Sequence, residues 1–330
     1  MSAPDPDRRC SVLSADLGEP MTGSAPRARA WLVLEQPGPY GFSALTESHL
    51  PVAVREALGA LPKTTGTTVL LARRVGRHAD DHVEVASRRF WFAHTAPGGV
   101  RMRSGELDDA ALLRPDLPEV LAAAARGELP PWGARSADPV LLVCTNARRD
   151  VCCALTGRPV AEALAADPAY AADVLEVSHL GGHRFAPTAL LLPSGHVFGR
   201  LDAASARAVL DAAREQRLGP LEHHRGRTAL AQPAQAAEQA VRASAQVSGL
   251  DDLDVLRVLD DRPAPAPLRW GDDDDRLVAQ VRHVDGRAWR VGLHREAMAV
   301  RRPESCGKPD VAPVVWRAEA PVALAPWHAG

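Results

Sequence analysis

Short apolar runs separated by helical patterns recur twice along the chain in the same order. Trp31 to Leu34 (WLVL) is an uninterrupted apolar run, the pattern of a strand buried on both faces. Pro37, Gly38, Pro39 and Gly41 then mark a loop, Val52 to Leu61 carries a helical pattern, and Val69 to Ala72 is a second buried strand. Phe90 to Ala93 and Val100 to Arg103 flank Ala-Pro-Gly-Gly, a hairpin signal, and Asp108 and Asp109 are placed to cap a following helix.

Residues 139–215 repeat this order. Val140 to Val143 (VLLV) predicts a buried strand, a cysteine-bearing loop follows, Pro159 to Ala166 predicts a helix, and Val174 to Val177 a second strand. Thr188 to Leu192 and His196 to Gly199 flank Pro-Ser-Gly as a hairpin, and Asp202 caps a helix running to Ala213. The segments align directly: WLVLEQPGPYGFSAL with VLLVCTNARRDVCCAL, PVAVREAL with PVAEALAA, and TAPGGVRMRSGELDDAALL with LLPSGHVFGRLDAASARAVL. We read an internal duplication of a strand–helix–strand–hairpin–helix unit, which mixes a parallel and an antiparallel pair on one sheet in the manner of a thioredoxin-like fold. The first copy has Glu35 where the second has Cys144, and no cysteines follow it, so it is expected to be chemically degenerate.

Past Leu221 the pattern changes. Pro233 to Ser248 predicts an Ala-rich helix, Pro263, Pro265 and Pro267 a linker-like stretch, and Asp272 to Asp275 a solvated acidic turn. Leu277 to His283 and Arg287 to Leu293 flank Asp-Gly, a strong hairpin signal. The expected fold class is therefore α/β. An irregular segment (1–27) precedes a degenerate thioredoxin-like repeat (28–135) and a thioredoxin-like cofactor domain (136–220), and a small α+β module (221–330) ends the chain.

The 330 residues include 39 Lys or Arg and 41 Asp or Glu, a net charge of −2, which gives no electrostatic case for nucleic acid or an anionic membrane. No window is long and apolar enough for a membrane span. The early charges Asp5, Asp7, Arg8, Arg9 and Asp16 argue against a signal peptide, so a cytoplasmic location is expected. Five cysteines, an odd and sparse set, do not make a disulfide framework.

Three of them cluster as Cys144, Cys152 and Cys153, just after a strand; Ser178-His179-Leu180-Gly181-Gly182-His183 follows the parallel partner strand. The C-terminal ends of parallel neighbours lie side by side, so two thiolates and two imidazoles can converge there. Tight Cys-x₂₋₄-Cys zinc knuckles are missing, and the Cys-x₈-Cys bite suits a larger object such as a [2Fe–2S] cluster, in which His can replace two Cys. Gly181 and Gly182, lacking Cβ atoms, let their backbone approach a bridging sulfide. Arg148, Arg149 and Arg184 are close in sequence and would favour the reduced form if they faced inward.

CTNARRDVCCALTGRP followed by HLGGHRFAPTALLLPSGHVFGRL resembles the sucrase/ferredoxin-like family of thioredoxin-like [2Fe–2S] proteins, as do CSVLSADLGEPMTGSAPRARAWLVLEQPGPYG, HRGRTAL and SCGKP. The resemblance implies cluster ligands Cys144, Cys153, His179 and His183, leaves Cys152 as an ambiguity one residue before the expected ligand, and assigns no metal to Cys10 or Cys306. It implies an electron-transfer protein working with a redox partner protein, a reductase or an acceptor. The sugar-cleaving activity in the family's name finds no convincing pair of catalytic carboxylates here. The alternatives are a zinc-stabilised binding protein and a thioredoxin-like dithiol oxidoreductase, the latter opposed by the lack of any Cys-x-x-Cys.

Overall fold

The computed structural model describes residues 8–61, 63–76, 85, 87–259, 262–263 and 275–326, so Pro265, Pro267 and Asp272 to Asp274 of the predicted linker and acidic turn lie outside the described residues. It is a mixed α/β structure built on a ten-stranded sheet. The first half contributes β1 (Ala30–Glu35), β2 (Thr67–Arg73), β3 (Ser87–His94), β4 (Arg101–Asp108) and β5 (Ala134–Ser136). The second contributes β6 (Val140–Cys144), β7 (Val174–Val177), β8 (Ala189–Leu192), β9 (His196–Phe198) and β10 (His224–Arg227).

The spatial order is β10-β9-β8-β6-β7-β2-β1-β3-β4-β5. In each half the first two strands are parallel, the third runs antiparallel to the first, and the fourth is its hairpin partner. The halves meet through an antiparallel seam of two register pairs, Ala72 with Val177 and Arg73 with Glu176. The polar strand β10 lies beyond residue 220 yet extends this sheet by pairing with β9.

The alternation along each strand sorts its side chains onto two faces. Trp31 and Val33 share one buried layer with Leu142, Val177 and Leu190, so this layer is continuous across both halves. Leu32 and Leu34 instead pack with α3 (Val52–Gly59) and α5 (Leu117–Ala125). Leu141 and Val143 pack with α6 (Val151–Ala165) and α7 (Ala203–Arg214). Asp202 caps α7 in a reciprocal capping box with Ser205, and Asp108 caps the short α4 (Asp109–Leu112).

Three local expectations are corrected. The 1–27 segment contains a helix, α1 (Cys10–Asp16), which packs on the turn His183–Phe185, while α2 (Ala44–Glu47) is a single turn in the Pro/Gly loop. The helix predicted from Pro159 begins at Val151, because Asp150 accepts the Cys152 amide (2.9 Å) and so caps it about two turns earlier. Cys144 is the last residue of β6, so neither it nor the cysteine pair lies in a loop.

The C-terminal part forms a second sheet from β11 (Leu253–Leu259), β12 (Arg262–Pro263), β13 (Arg276–His283), β14 (Ala288–Ala297), β17 (Val314–Ala318) and β18 (Val322–Ala323), beside a small hairpin of β15 (Arg302–Pro303) and β16 (Asp310–Val311). The helix α8 (Gln232–Ala245) packs both on β10 and on this second sheet. Among the described residues no helix is long and apolar enough to cross a membrane.

A buried histidine pair lies on the neighbouring strands β9 and β10. His196 Nε2 lies 3.0 Å from the Leu250 carbonyl and must donate to it, so His196 Nδ1 accepts from His224 Nε2 at 3.0 Å. Burial pushes His224 down to about 3 and, with the neighbouring His224, holds His196 well below its ordinary value. In the unfolded chain both titrate near ~6.5. The folded pair stays neutral where the unfolded pair takes up protons, so stability is full above that value and is lost as pH falls from it toward the folded values. Between pH 7 and 5 the loss should be about 2 kcal/mol per histidine. Urea titrations at the two pH values measure it, and an unchanged midpoint would show that the pair is not held neutral.

Candidate metal centre

Strands β6 and β7 are parallel and in register, with Cys144 opposite Val177, so both chains leave the sheet at the same level. The Cys144 amide donates to the Thr188 carbonyl (2.9 Å), which fixes the strand end and its buried thiol. Beyond β7, Ser178 donates its amide back to Leu71, and the chain turns through Gly181 (φ 75°) and Gly182 (φ 72°), both left-handed. That turn carries His179 out and returns at His183.

The fold brings the four predicted side chains together from β6, α6 and this turn. Cys153 Sγ lies 3.1 Å from His183 Nδ1. The Cys144 sulfur faces Cys153, His179 and the Leu180 amide. The His179 and His183 rings stack with centroids 4.8 Å apart and planes at 26°. Both cysteines are buried and both histidines half-buried, so the imidazole side faces outward. Cys152, one position along α6, points elsewhere, toward Cys10 and Cys306.

The two buried thiols share their charge unequally. Hydrogen bonding from Cys153, then from His179 and the Leu180 amide, holds Cys144 well below the usual thiol range. The same contact with Cys144, reinforced by burial, pushes Cys153 well above it. His183 is lowered by burial and by His179 beside it. A cation bound between them would displace the remaining thiol proton.

The arginines flanking the ligands in sequence do not supply that compensation. Arg148 is exposed, Arg149 stacks over Phe42 (4.4 Å), and Arg184 pairs with Glu19 (2.8 Å). The arginine buried against the thiols is Arg225 from β10, to which the sequence reading assigned no role. Its guanidinium donates to the Gly181 carbonyl and the Ser24 hydroxyl (both 3.1 Å), and burial, then Arg184, lowers it to about 9. A Cβ at Gly182 would run into this guanidinium, so the second glycine is needed for space as well as for its backbone angle. The only sequence signal for Arg225 is its place in HRGRTAL. A cleft of about 480 Å³, lined by Ser24, Gly181, Gly182, Arg225, Arg295 and Trp316, opens onto the glycine turn.

The donor set fits a group larger than one ion. His179 Nδ1 is buried without a hydrogen-bond partner, a cost of ~1–3 kcal/mol that a metal bond would remove. The four residues meet in pairs rather than around one point. Two thiolates and two imidazoles disposed in this way match the ligands of a two-iron cluster with histidine on one iron. In the first half, Glu35 stands at the position of Cys144 and faces Arg74 (3.4 Å) and Arg89 (3.8 Å), and no cysteine follows it before Cys144; His78 and His82, which come after β2, lie outside the described residues.

The family described as sucrase/ferredoxin-like matches residues 21–226, more than half of the chain and all four of these positions. No curated protein and no solved structure matches the chain.

Proposed function

The chain belongs to the sucrase/ferredoxin-like family, and on that premise we propose that it is a cytoplasmic electron-transfer protein carrying one bis-histidinyl [2Fe–2S] cluster. Cys144, Cys153, His179 and His183 hold the cluster, which supplies one-electron transfer. The observation that carries the reading is the pairing of Cys153 with His183 at 3.1 Å beside a stacked His179 whose buried Nδ1 has no partner. We read the two halves, with their common strand order, as duplicated thioredoxin-like units of which the first is degenerate.

The chain's own residues divide the work. Cys144 and Cys153 anchor from the buried side and exclude water, and Arg225 lies behind them to balance thiolate charge. The half-buried histidines face outward, where a redox partner protein can approach. Two neutral imidazoles in place of two thiolates leave the oxidised cluster uncharged rather than dianionic, so its potential should lie above that of four-cysteine plant-type ferredoxins.

The test is iron and acid-labile sulfide analysis with an absorbance spectrum on the purified chain. One cluster per chain and a red-brown colour are expected, because the first half has Glu35 in place of Cys144 and no cysteine after it. A colourless zinc protein would overturn the reading, and about two clusters per chain would show that the first half is not degenerate.

A further inference from the structure

The three cysteines not used above, or used only as a structural neighbour, meet at the start of α6. Cys10 comes from α1, Cys152 from the first turn of α6, and Cys306 from the turn between β15 and β16. Their sulfurs lie 3.7 Å (Cys10–Cys152), 3.4 Å (Cys152–Cys306) and 3.7 Å (Cys10–Cys306) apart. With a carboxylate oxygen of Asp150 they form a group whose ligand atoms all lie within 4.8 Å of one another. From these contacts we propose that Cys10, Cys152, Cys306 and Asp150 hold a structural zinc ion, distinct from the cluster, that staples the N-terminal helix and the C-terminal hairpin onto α6.

The geometry is that of a small tetrahedral cation. Zinc bonded to thiolates at about 2.3 Å holds their sulfurs about 3.8 Å apart. The three observed separations, 3.4–3.7 Å, all fall slightly short of that edge. All three cysteines are free thiols, and three thiols cannot all be satisfied as disulfides. Thiolate donors with one carboxylate favour zinc over calcium or magnesium, and four protein ligands leave no open position, the mark of a structural site.

A second observation asks independently for a cation. Asp150 is buried, and among the described residues no Lys or Arg pairs with it. Its oxygens are instead held in place: Oδ1 by the Cys152 amide (2.9 Å), Oδ2 by the Cys306 amide (2.8 Å) and the Ser305 hydroxyl (2.7 Å). The Cys306 sulfur accepts from the Cys10 amide (3.5 Å). Outer hydrogen bonds of this kind orient ligands around a metal. A buried carboxylate fixed by neutral donors, with three thiols against it, is costly as a charge, and a divalent cation would offset that charge while displacing the thiol protons to solvent.

Cys153 follows Cys152 on the same helical turn, so the two sites share the first turn of α6 while using different side chains. The zinc proposal does not depend on the cluster: it stands or falls on residues the cluster does not use.

The full chain, purified without chelator, should contain about one zinc besides its iron. Cys306→Ser and Cys10→Ser should each lower zinc at least ~10-fold and leave iron per chain unchanged, whereas Cys153→Ser should do the reverse. Should those variants fail to fold, Co²⁺ added to the zinc-free wild-type chain still decides, through thiolate charge-transfer and tetrahedral d–d absorption. Zinc that is absent with no such cobalt spectrum overturns the proposal. So does a disulfide between any two of the three cysteines in the freshly purified chain, or zinc that survives both Cys10→Ser and Cys306→Ser but leaves with Cys153→Ser.

Discussion

Cys153→Ser should yield a chain without iron, while the neighbouring Cys152→Ser keeps one cluster per chain. The two residues are adjacent, yet successive positions on a helix point about 100° apart. In α6 that rotation directs Cys153 at His183 Nδ1 and Cys152 at Cys10 and Cys306. Losing Cys153, Cys144, His179 or His183 leaves an iron short of one protein ligand and open to water, so iron and sulfide should fall at least ~10-fold in each variant. Losing Cys152 touches only the thiol group on the other side of the helix. Iron, sulfide and zinc measured on the same samples separate the two effects. Iron retained by Cys153→Ser and lost from Cys152→Ser would shift the ligand assignment by one residue.

Arg73→Ala should destabilise the protein by about 3–5 kcal/mol, the cost of leaving one member of a buried ion pair alone. Arg73 Nε and Nη2 donate to the same Glu176 oxygen at 2.9 and 2.7 Å, both side chains are buried, and Thr145 donates to that oxygen at 2.8 Å. The guanidinium also stacks on Tyr40 (4.4 Å) and donates to the Gly38 carbonyl (2.9 Å). The two residues are register partners in the two-pair seam that joins the halves of the sheet. The apolar double substitution Arg73→Met/Glu176→Leu removes both charges and should recover most of the loss. A double-mutant cycle in urea measures the coupling, and a cost below about 1 kcal/mol for Arg73→Ala would show the pair to be solvated.

Much of the sheet was legible because its strands are written as local pattern. Val174 to Val177 was read to the residue, and the hairpins of both halves and that after Asp285 were located by their turn residues. Asp202 announced its helix because an N-cap acts through amides two or three residues away. Cys144, Cys153, His179 and His183 were singled out by spacing and family resemblance, and parallel pairing of the two strands they follow brings them to one end of the sheet. Helix α6 was read too short because Val-Cys-Cys-Ala has no clear amphipathic period, and Asp150 as its cap is visible only once the chain has turned.

What the sequence by itself determined, then, is the succession of most strands and helices and the two cysteines and two histidines whose spacing lets parallel strands bring them to one end of the sheet. Tertiary structure alone decided which polar residues meet. Strand β10 reads His-Arg-Gly-Arg, a polar run with no strand pattern, and becomes a buried edge because its arginines find carbonyls and carboxylates supplied by distant segments. Arg225 reaches Gly181 across 44 positions, Arg302 reaches Glu19 across 283, and Cys10 meets Cys306 across 296. Hydrophobic periodicity is a property of neighbours a few residues apart, so one sequence displays it. A buried charge is stable only beside a specific partner, and which partner arrives depends on how the whole chain closes.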